Sequence, residues 1–404
     1  MSDQTPPANG SVLQPFDHQP RTRIVFGVNT VDQIGEMARS LGAKKVLFVT
    51  DPGIVAAGHA ARAQASLKSA GLQIAVFDKS KENPTTKCVD DCLAVARAAG
   101  IDTLIGLGGG SSMDTAKGCN FLLTNGGRMQ DYWGVGKATK PMLPLIAVPT
   151  TAGTGSECQS AALIVDEATH QKMACLDPKA AARIAVLDPS LTISQPARVT
   201  ACTGLDAIAH AVETSVSKKR NAVSAMYSRE AFKLCMTSFP EILLNPQDLE
   251  ARGRMLLGAS LSGLAIENSM LGAAHSAANP LTAHYGIIHG QAVGMLLPSV
   301  LRFNAADPAA RQAYAELSAA AQISANGHAP EVTVEALATR LEVLLSLSGT
   351  PSSLAEVGVE RAKIPVLAEE AARQWTAAFN PRPVAKNEFV KLYEMAFEAR
   401  GSTS

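Results

Sequence analysis

Net charge is the first thing this chain lacks: Lys and Arg together number 36, and so do Asp and Glu. A balanced chain has no long-range field to draw in nucleic acid or an anionic membrane, which leaves a small molecule as the expected partner. Aromatics are scarce at 4%. Alanine and leucine fill their place and favour helix. No uncharged apolar run reaches about 18 residues, so no membrane span is expected. Cysteines number seven, an odd count, and they are scattered. That pattern argues against a disulfide framework and for a reducing cytoplasm. Cys88 and Cys92, the closest pair, stand four apart in a helical-looking stretch and can share a face. With no further ligands beside them they read as buried thiols. Residues 1–20 lack the apolar core of a signal sequence. They are polar and Pro-rich, and read as a flexible tail.

What is present is a globular composition: 47% hydrophobic and 18% charged residues in a chain of 404. At roughly 100–200 residues per domain this predicts two or three domains. The first half alternates short apolar runs with helical stretches. Lys45–Thr50 ends at Asp51-Pro52-Gly53, Leu72–Phe77 follows, Thr103–Leu107 runs into Gly108-Gly109-Gly110, and Pro144–Val148 ends at Pro149. Helical stretches such as Ala56–Ala70 and Lys87–Ala99 separate the first three. Strand–helix alternation predicts right-handed crossovers and a parallel, Rossmann-like sheet covered on both faces. Two further runs, Ala161–Val165 and Ile184–Leu187, predict a β-rich closing piece. From about residue 192 the texture changes to long Ala/Leu-rich segments with a 3.6-residue period. Leu205, Ile208, Ala209 and Val212 form one such stripe, and similar patterns recur in Met255–Ile266, Gln312–Ala321, Val332–Leu347 and Ala368–Ala378. The expected organisation is a tail over 1–20, an α/β domain over 21–191 and an all-helical domain over 192–404.

Four groups of residues carry candidate chemistry. The stretch Gly106-Leu107-Gly108-Gly109-Gly110-Ser111-Ser112-Met113-Asp114 stands where a strand turns into a helix. Consecutive glycines let backbone N–H groups approach a phosphate, and the helix start adds its positive dipole end. The strict G-x-G-x-x-G pattern is absent, and a tight turn that binds nothing is the alternative. Thr150, Thr151 and Thr154, with Gly153 and Gly155, follow a strand and offer hydroxyls where open α/β sheets bind ligands; on composition alone they read as a plain Gly/Thr-rich loop. Asp51 reads either as a turn residue before Pro52 or as an acceptor of ribose hydroxyls, which would favour NAD over NADP. Finally, Asp206 and His210 are four apart on one helical face, and His275 and His289 follow. Of the eight histidines, four (His210, His275, His284 and His289) fall in this region. One carboxylate and three imidazoles make a set suited to Fe²⁺ or Zn²⁺ rather than Mg²⁺ or Ca²⁺.

Taken together these residues resemble the iron-containing, group III alcohol dehydrogenases. The Gly-Gly-Gly-Ser loop with Asp114, the stretch VPTTAGTGSE over 148–157, Asp206-x3-His210, His275 with His289, and Asn380-Pro381-Arg382 occur in that family's order. The resemblance spans about residues 21–400. It implies the dehydroquinate synthase-like architecture, with an α/β NAD(P)-binding domain followed by a helical metal-binding domain. It implies Asp206, His210, His275 and His289 as ligands of Fe²⁺, with Zn²⁺ as the alternative. It implies Asp51, Asn83, Gly109, Gly110, Ser111, Asp114, Thr150, Thr151, Thr154, Lys172 and Leu187 as contacts of NAD, with NADP as the alternative. The substrate would be a small alcohol or aldehyde, and the protein a cytoplasmic homodimer or larger homo-oligomer. Ile266 falls at a substrate-pocket position, and its apolar side chain suits a short aliphatic chain. One position departs from the pattern. Where the family often carries a histidine in an Ala-His-Pro context, this chain has Asn279, which cannot accept a proton. The proton then leaves through water, a ribose hydroxyl or His284. Related activities on the same motifs, such as maleylacetate reductase or hydroxyacid–oxoacid transhydrogenase, stand as alternatives, as does a catalytically weak NAD-binding protein.

Overall fold

The fold comes from a computed structural model and is described for residues 15–324 and 329–397. It divides into two compact units, Gln19–Gln195 and Pro196 onward, the second also holding residues up to His18.

The first unit is built on nine strands: β1 (Arg23–Phe26), β2 (Lys45–Val49), β3 (Gln73–Phe77), β4 (Thr103–Gly108), β5 (Gly134–Val135), β6 (Leu145–Pro149), β7 (Ala161–Val165), β8 (Lys172–Leu176) and β9 (Ile184–Leu187). Six form one all-parallel sheet in the order β1-β9-β6-β4-β2-β3. Its helices are α1 (Ile34–Ser40), α2 (Pro52–Ala56), α3 (His59–Ser69), α4 (Thr86–Ala99) and α5 (Gly110–Asn125). The strand side chains alternate between two cores. Val46, Phe48, Ile105, Leu107, Ile146 and Val148 face the layer that contains α1 and α3. Leu47, Val49, Leu104, Leu145 and Ala147 face the layer that contains α4 and α5. Both faces are covered, which is why these strands read as unbroken apolar runs.

The chain steps outward from β2 to β3 and then returns to place β4 on the other side of β2. The strand order therefore reverses between β2 and β4, the position where open sheets of this kind bind ligands at their carboxyl edge. Asp51, the glycine loop and Thr150 follow β2, β4 and β6 at that edge.

Two strand expectations need correction. Ala161–Val165 and Ile184–Leu187 do not form one closing piece. The former joins a separate three-stranded sheet, β5-β8-β7, and the latter enters the main sheet between β1 and β6. The division between units also falls later than 191/192. Residues 189–194 stay with the first unit because Arg62 Nη1 donates to Ser190 Oγ at 3.2 Å and His59 Nε2 lies 2.7 Å from Ser194 Oγ.

The second unit contains α6 (Ala197–Thr214), α7 (Ala222–Leu244), α8 (Leu249–Glu267), α9 (Ala273–Tyr285), α10 (His289–Asn304), α11 (Pro308–Ala320), α12 (Pro330–Leu347), α13 (Ile364–Ala372) and α14 (Lys386–Phe397). Its described residues hold no strand. From Leu205 to Thr214, α6 is buried on every face, packed by α7, α8 and α10. Of the expected tail, residues 1–14 lie outside the described residues. Its end is pinned rather than loose: His18 Nδ1 lies 2.8 Å from Asn268 Oδ1, and its ring meets the Tyr227 ring edge-on.

Candidate active site

Four helical positions converge in the second unit. Asp206 and His210 project from one face of α6, His275 sits one turn into α9, and His289 opens α10. His289 reaches α6 because its neighbour is glycine. A Cβ on Gly290 would lie 2.0 Å from the Cys202 carbonyl oxygen, so any side chain there would push the first turn of α10 off α6. Measured from Asp206 Oδ1, the Nε2 atoms of His275, His210 and His289 lie at 3.4, 3.5 and 4.0 Å. The His210 and His275 rings stack with centroids 4.8 Å apart. Ligand atoms of Asp206, His210 and His275 all fall within 4.8 Å of one another. Asp206, His210 and His275 are buried, whereas the His289 side chain keeps 28% of its surface exposed and marks the open side.

The donor set fits a cation. Asp206 Oδ1 and His275 Nε2 are buried yet make no hydrogen bond, an arrangement that is costly unless something positive lies between them. The charges agree. Burial alone would push the Asp206 carboxyl up, but His210 and then His275 and His289 hold it well below the usual carboxylate range. Burial pulls the His275 imidazolium down, but the Glu213 charge, the nearby Asp206 and the Glu213 hydrogen bond override it and raise the ring to about 9. The pocket attracts positive charge, whether as a proton or as a metal ion. One oxygen and three imidazole nitrogens suit Fe²⁺ or Zn²⁺.

Glu213 is the residue that sequence reasoning missed. Its Oε2 lies 2.5 Å from His275 Nδ1, and its Oε1 accepts from the Ala274 N–H at 2.6 Å. With Nδ1–H donated to this carboxylate, the Nε2 lone pair is left facing the ligand cluster. A signal was available: Glu213 stands three residues after His210 and seven after Asp206, on the same helical stripe. Asn380, in the Asn-Pro-Arg stretch, accepts from the Ala273 N–H at 3.3 Å and exchanges amide bonds with Asn304 at 3.1 and 2.8 Å. Helix α9 is preceded by Gly272 as its cap and has no capping side chain of its own. Glu213 and Asn380 supply the missing acceptors from elsewhere in the unit.

The proton-relay expectations fare unequally. Asn279 is one turn beyond His275, and its amide donates to Gln374 Oε1 at 3.0 Å. His284 is nine residues beyond His275, about 13 Å along α9 and on the opposite face by helical geometry. It is exposed and pairs with Glu370 at 2.8 Å, so it is withdrawn as a direct relay. Ile266 is buried near the end of α8.

At the carboxyl edge of the sheet, most of the predicted cofactor residues come together. Asp51 caps α2 by accepting from the Ile54 N–H at 3.1 Å, while its other oxygen accepts from Ser112 Oγ at 3.2 Å. Asp51 thus forms the turn at Pro52, and the same carboxylate ties the glycine loop to the end of β2. Gly109 is the cap of α5, and the helix begins at Gly110. The threonine loop packs directly on that start. A Cβ on Gly110 would lie 2.9 Å from Thr154 Oγ1, and one on Gly109 3.6 Å from Thr151 Oγ1. Thr150 N–H donates to the Gly108 carbonyl at 2.9 Å. Asn83, in a left-handed conformation, accepts from Lys172 Nζ at 3.1 Å. Ser111 is half-buried at the second position of α5. Two expectations change. Leu187 has no exposed surface, and its carbonyl accepts from the Gly27 N–H at 3.1 Å, so it belongs to the core rather than to a ligand. Asp114 is buried and accepts from Ser156 Oγ at 2.9 Å. Burial pushes its carboxyl up against the opposing pull of Lys117, and it braces the threonine loop from below.

No helix among the described residues is long and apolar enough to cross a membrane. The family described as iron-containing alcohol dehydrogenase matches residues 20–189, and its C-terminal counterpart matches residues 200–397. The NAD-dependent methanol dehydrogenase of Bacillus methanolicus is 33% identical over 372 residues, which cover 92% of this chain and 97% of that protein. The 1,3-propanediol dehydrogenase of Klebsiella pneumoniae is 33% identical over 388 residues, covering 95% and 99%. Among solved structures, an alcohol dehydrogenase from Oenococcus oeni has a TM-score of 0.91 at 32% identity, covering 95% of this chain and 100% of that one.

Proposed function

The chain belongs to the iron-containing alcohol dehydrogenase family, and from that premise we infer that Asp206, His210, His275 and His289 hold the ion on which its alcohol dehydrogenase and aldehyde reductase activity depends. The observation that carries this reading is the convergence of three Nε2 atoms on a buried Asp206 oxygen that makes no hydrogen bond. When bound, the divalent ion would supply Lewis acidity toward an alcohol hydroxyl and the nicotinamide would supply the hydride acceptor. The residues of the chain do the rest. Asp206 and the three imidazoles fix the position of the charge, and Glu213 keeps His275 in the tautomer whose Nε2 is free to bind. Asp206, His210 and His275 close the buried side against water, so the substrate oxygen enters beside the more exposed His289. Asn279 orients but accepts no proton, so the alcohol proton passes to water or to a ribose hydroxyl.

At the sheet edge, Gly109, Gly110 and Ser111 face the cofactor phosphates with backbone N–H groups, and Thr150, Thr151 and Thr154 add hydroxyls. Asn83 and Lys172 form a hydrogen-bonded pair that closes the site. Asp51 accepts from the ribose and disfavours a 2′-phosphate, so NAD is the working cofactor. Buried Ile266 and relatives named for methanol and propanediol favour a short primary alcohol. Seven buried cysteines suit a reducing cytoplasm. A homodimer or larger homo-oligomer completes the reading.

The test is elemental analysis of protein purified without added metal, paired with an NAD-linked panel of primary alcohols and 2-hydroxy acids. One iron or zinc per chain and turnover confined to short alcohols is the expected result. Full turnover after complete chelation, or turnover restricted to hydroxy acids, would remove the assignment.

A further inference from the structure

We propose that Lys117 is a positioning residue for the dinucleotide, a tethered internal cation that locks the threonine-bearing loop onto the start of α5. This rests on the reading that the sheet edge binds the cofactor. Lys117 has no exposed surface at all, a rare state for lysine, whose charge is costly to bury without partners. Its Nζ donates to the Ser156 carbonyl at 2.6 Å, Ser156 Oγ at 2.9 Å, the Gln159 carbonyl at 2.8 Å and the Ala161 carbonyl at 3.0 Å. All four acceptors come from residues 156–161. The ammonium thus sits in a cage of loop oxygens, much as a bound alkali cation would. Charge balance arrives indirectly, because the Ser156 hydroxyl donates a hydrogen bond to Asp114 Oδ1 at 2.9 Å.

The cage connects to the cofactor edge through Thr154. Ser156 N–H donates to Thr154 Oγ1 at 3.3 Å, and the Gln159 amide donates to the Thr154 carbonyl at 2.7 Å. Thr154 in turn rests on Gly110, where an added Cβ would meet its hydroxyl at 2.9 Å. Lys117 itself is seven residues along α5 from Gly110, about 10 Å of helix. It does not reach a phosphate at the helix start. It acts by fixing the segment that does. Helix α5 therefore contributes twice, with its N-terminus as the phosphate site and with a buried side chain that brings the second half of that site to it.

The experiment measures NADH affinity by fluorescence, together with metal stoichiometry, in Lys117→Met, Lys117→Ala and Gly110→Ala. Lys117→Met is expected to weaken NADH binding by about tenfold or more, the order of effect of a small misplacement of a binding group, while the metal content stays at the wild-type level. KM for NAD should rise with kcat at saturation largely kept. Lys117→Ala leaves the oxygen cage empty, so added propylammonium should restore NADH affinity, whereas tetramethylammonium, which has no N–H, should not. That amine response keeps the proposal testable if Lys117→Met fails to fold, and a merely structural lysine would not produce it. If Gly110→Ala weakens NADH binding but Lys117→Met leaves it unchanged, the clamp is overturned while the cofactor edge stands. A weakened Lys117→Ala that ignores propylammonium overturns it as well. If Gly110→Ala also binds NADH normally, the cofactor reading itself falls and takes the clamp with it.

Discussion

The two units solve the same problem, holding charge in place, with opposite materials. In the helical unit the site is made of side chains: a carboxylate and three imidazoles aimed at one point from α6, α9 and α10, with Glu213 behind one of them. Backbone enters where Gly290 permits close approach and where the Ala274 N–H meets Glu213. At the sheet edge the site is made largely of backbone N–H groups and hydroxyls, held by the packing of Gly110 on Thr154 and by a caged lysine. A site built from titratable side chains should fail abruptly and with pH. One built from backbone and hydroxyls should fail by degrees and through affinity.

The sharpest break should come from His275→Ala. It removes a ligand and orphans Glu213, so bound metal should fall below stoichiometry and kcat/KM should drop by about a thousandfold, a loss of several kcal/mol of transition-state stabilisation. Metal analysis and kinetics on the same preparation check it. NADH affinity should be unchanged, which is the comparison put to work.

Glu213→Gln comes next. The amide keeps the size but cannot accept from both His275 and Ala274 with one oxygen, and its NH₂ favours the wrong imidazole tautomer. Metal affinity should fall by about 10–100-fold, read by competition with a chelator, and Glu213→Asp should recover part of it.

The pH dependence separates the two regions further. With the ion absent, the His275 ring is raised from its usual 6.5 to about 9, so metal loading near neutral pH must displace a proton from it. Apparent metal affinity should climb by about tenfold per pH unit until about pH 9 and then level. Calorimetry in two buffers of different ionisation heat should find about one proton released. In the metal-free protein the same shift acts on the fold: its stabilisation is complete below about pH 6.5 and is lost as pH rises through about 9. The NADH site should show no such slope.

The smallest effect belongs to Asp51→Gly. Glycine is tolerated at a helix cap at a cost of only a few tenths of a kcal/mol, and the Ser112 contact that is lost with the carboxylate bears on both cofactors alike, so the ratio between them reads the ribose contact. The ratio of kcat/KM for NADP to that for NAD should rise by about tenfold, the value of a single charged contact. An unchanged ratio would detach Asp51 from cofactor choice.

The same contrast explains what was legible in the sequence. The strands β2, β4 and β6 were readable within a residue or so, because strands covered on both faces become continuous apolar runs, and the edge strand β3 was readable because four apolar residues follow Gln73 although most of them are half-exposed or exposed. β1, half-exposed at the sheet edge, and β8, which opens on the exposed Lys172, lack that signature and were not anticipated. The four candidate ligands stood out by residue type and spacing. Glu213 did not, because its place on the Asp206–His210 stripe does not give its role until its partner, 62 residues away, is known to face it. Lys117 was invisible for the same reason, its partners being loop carbonyls. His284 and Leu187 were carried by pattern alone, and three-dimensional position removed both.

The most direct test of the central claim is metal K-edge X-ray absorption on the loaded protein. Three imidazole nitrogens and one carboxylate oxygen in the first shell, at about 2.0–2.2 Å, are the predicted result, with one imidazole scattering contribution lost in His289→Ala. A shell containing sulfur, or one with fewer than three imidazoles in the unaltered protein, would contradict the account.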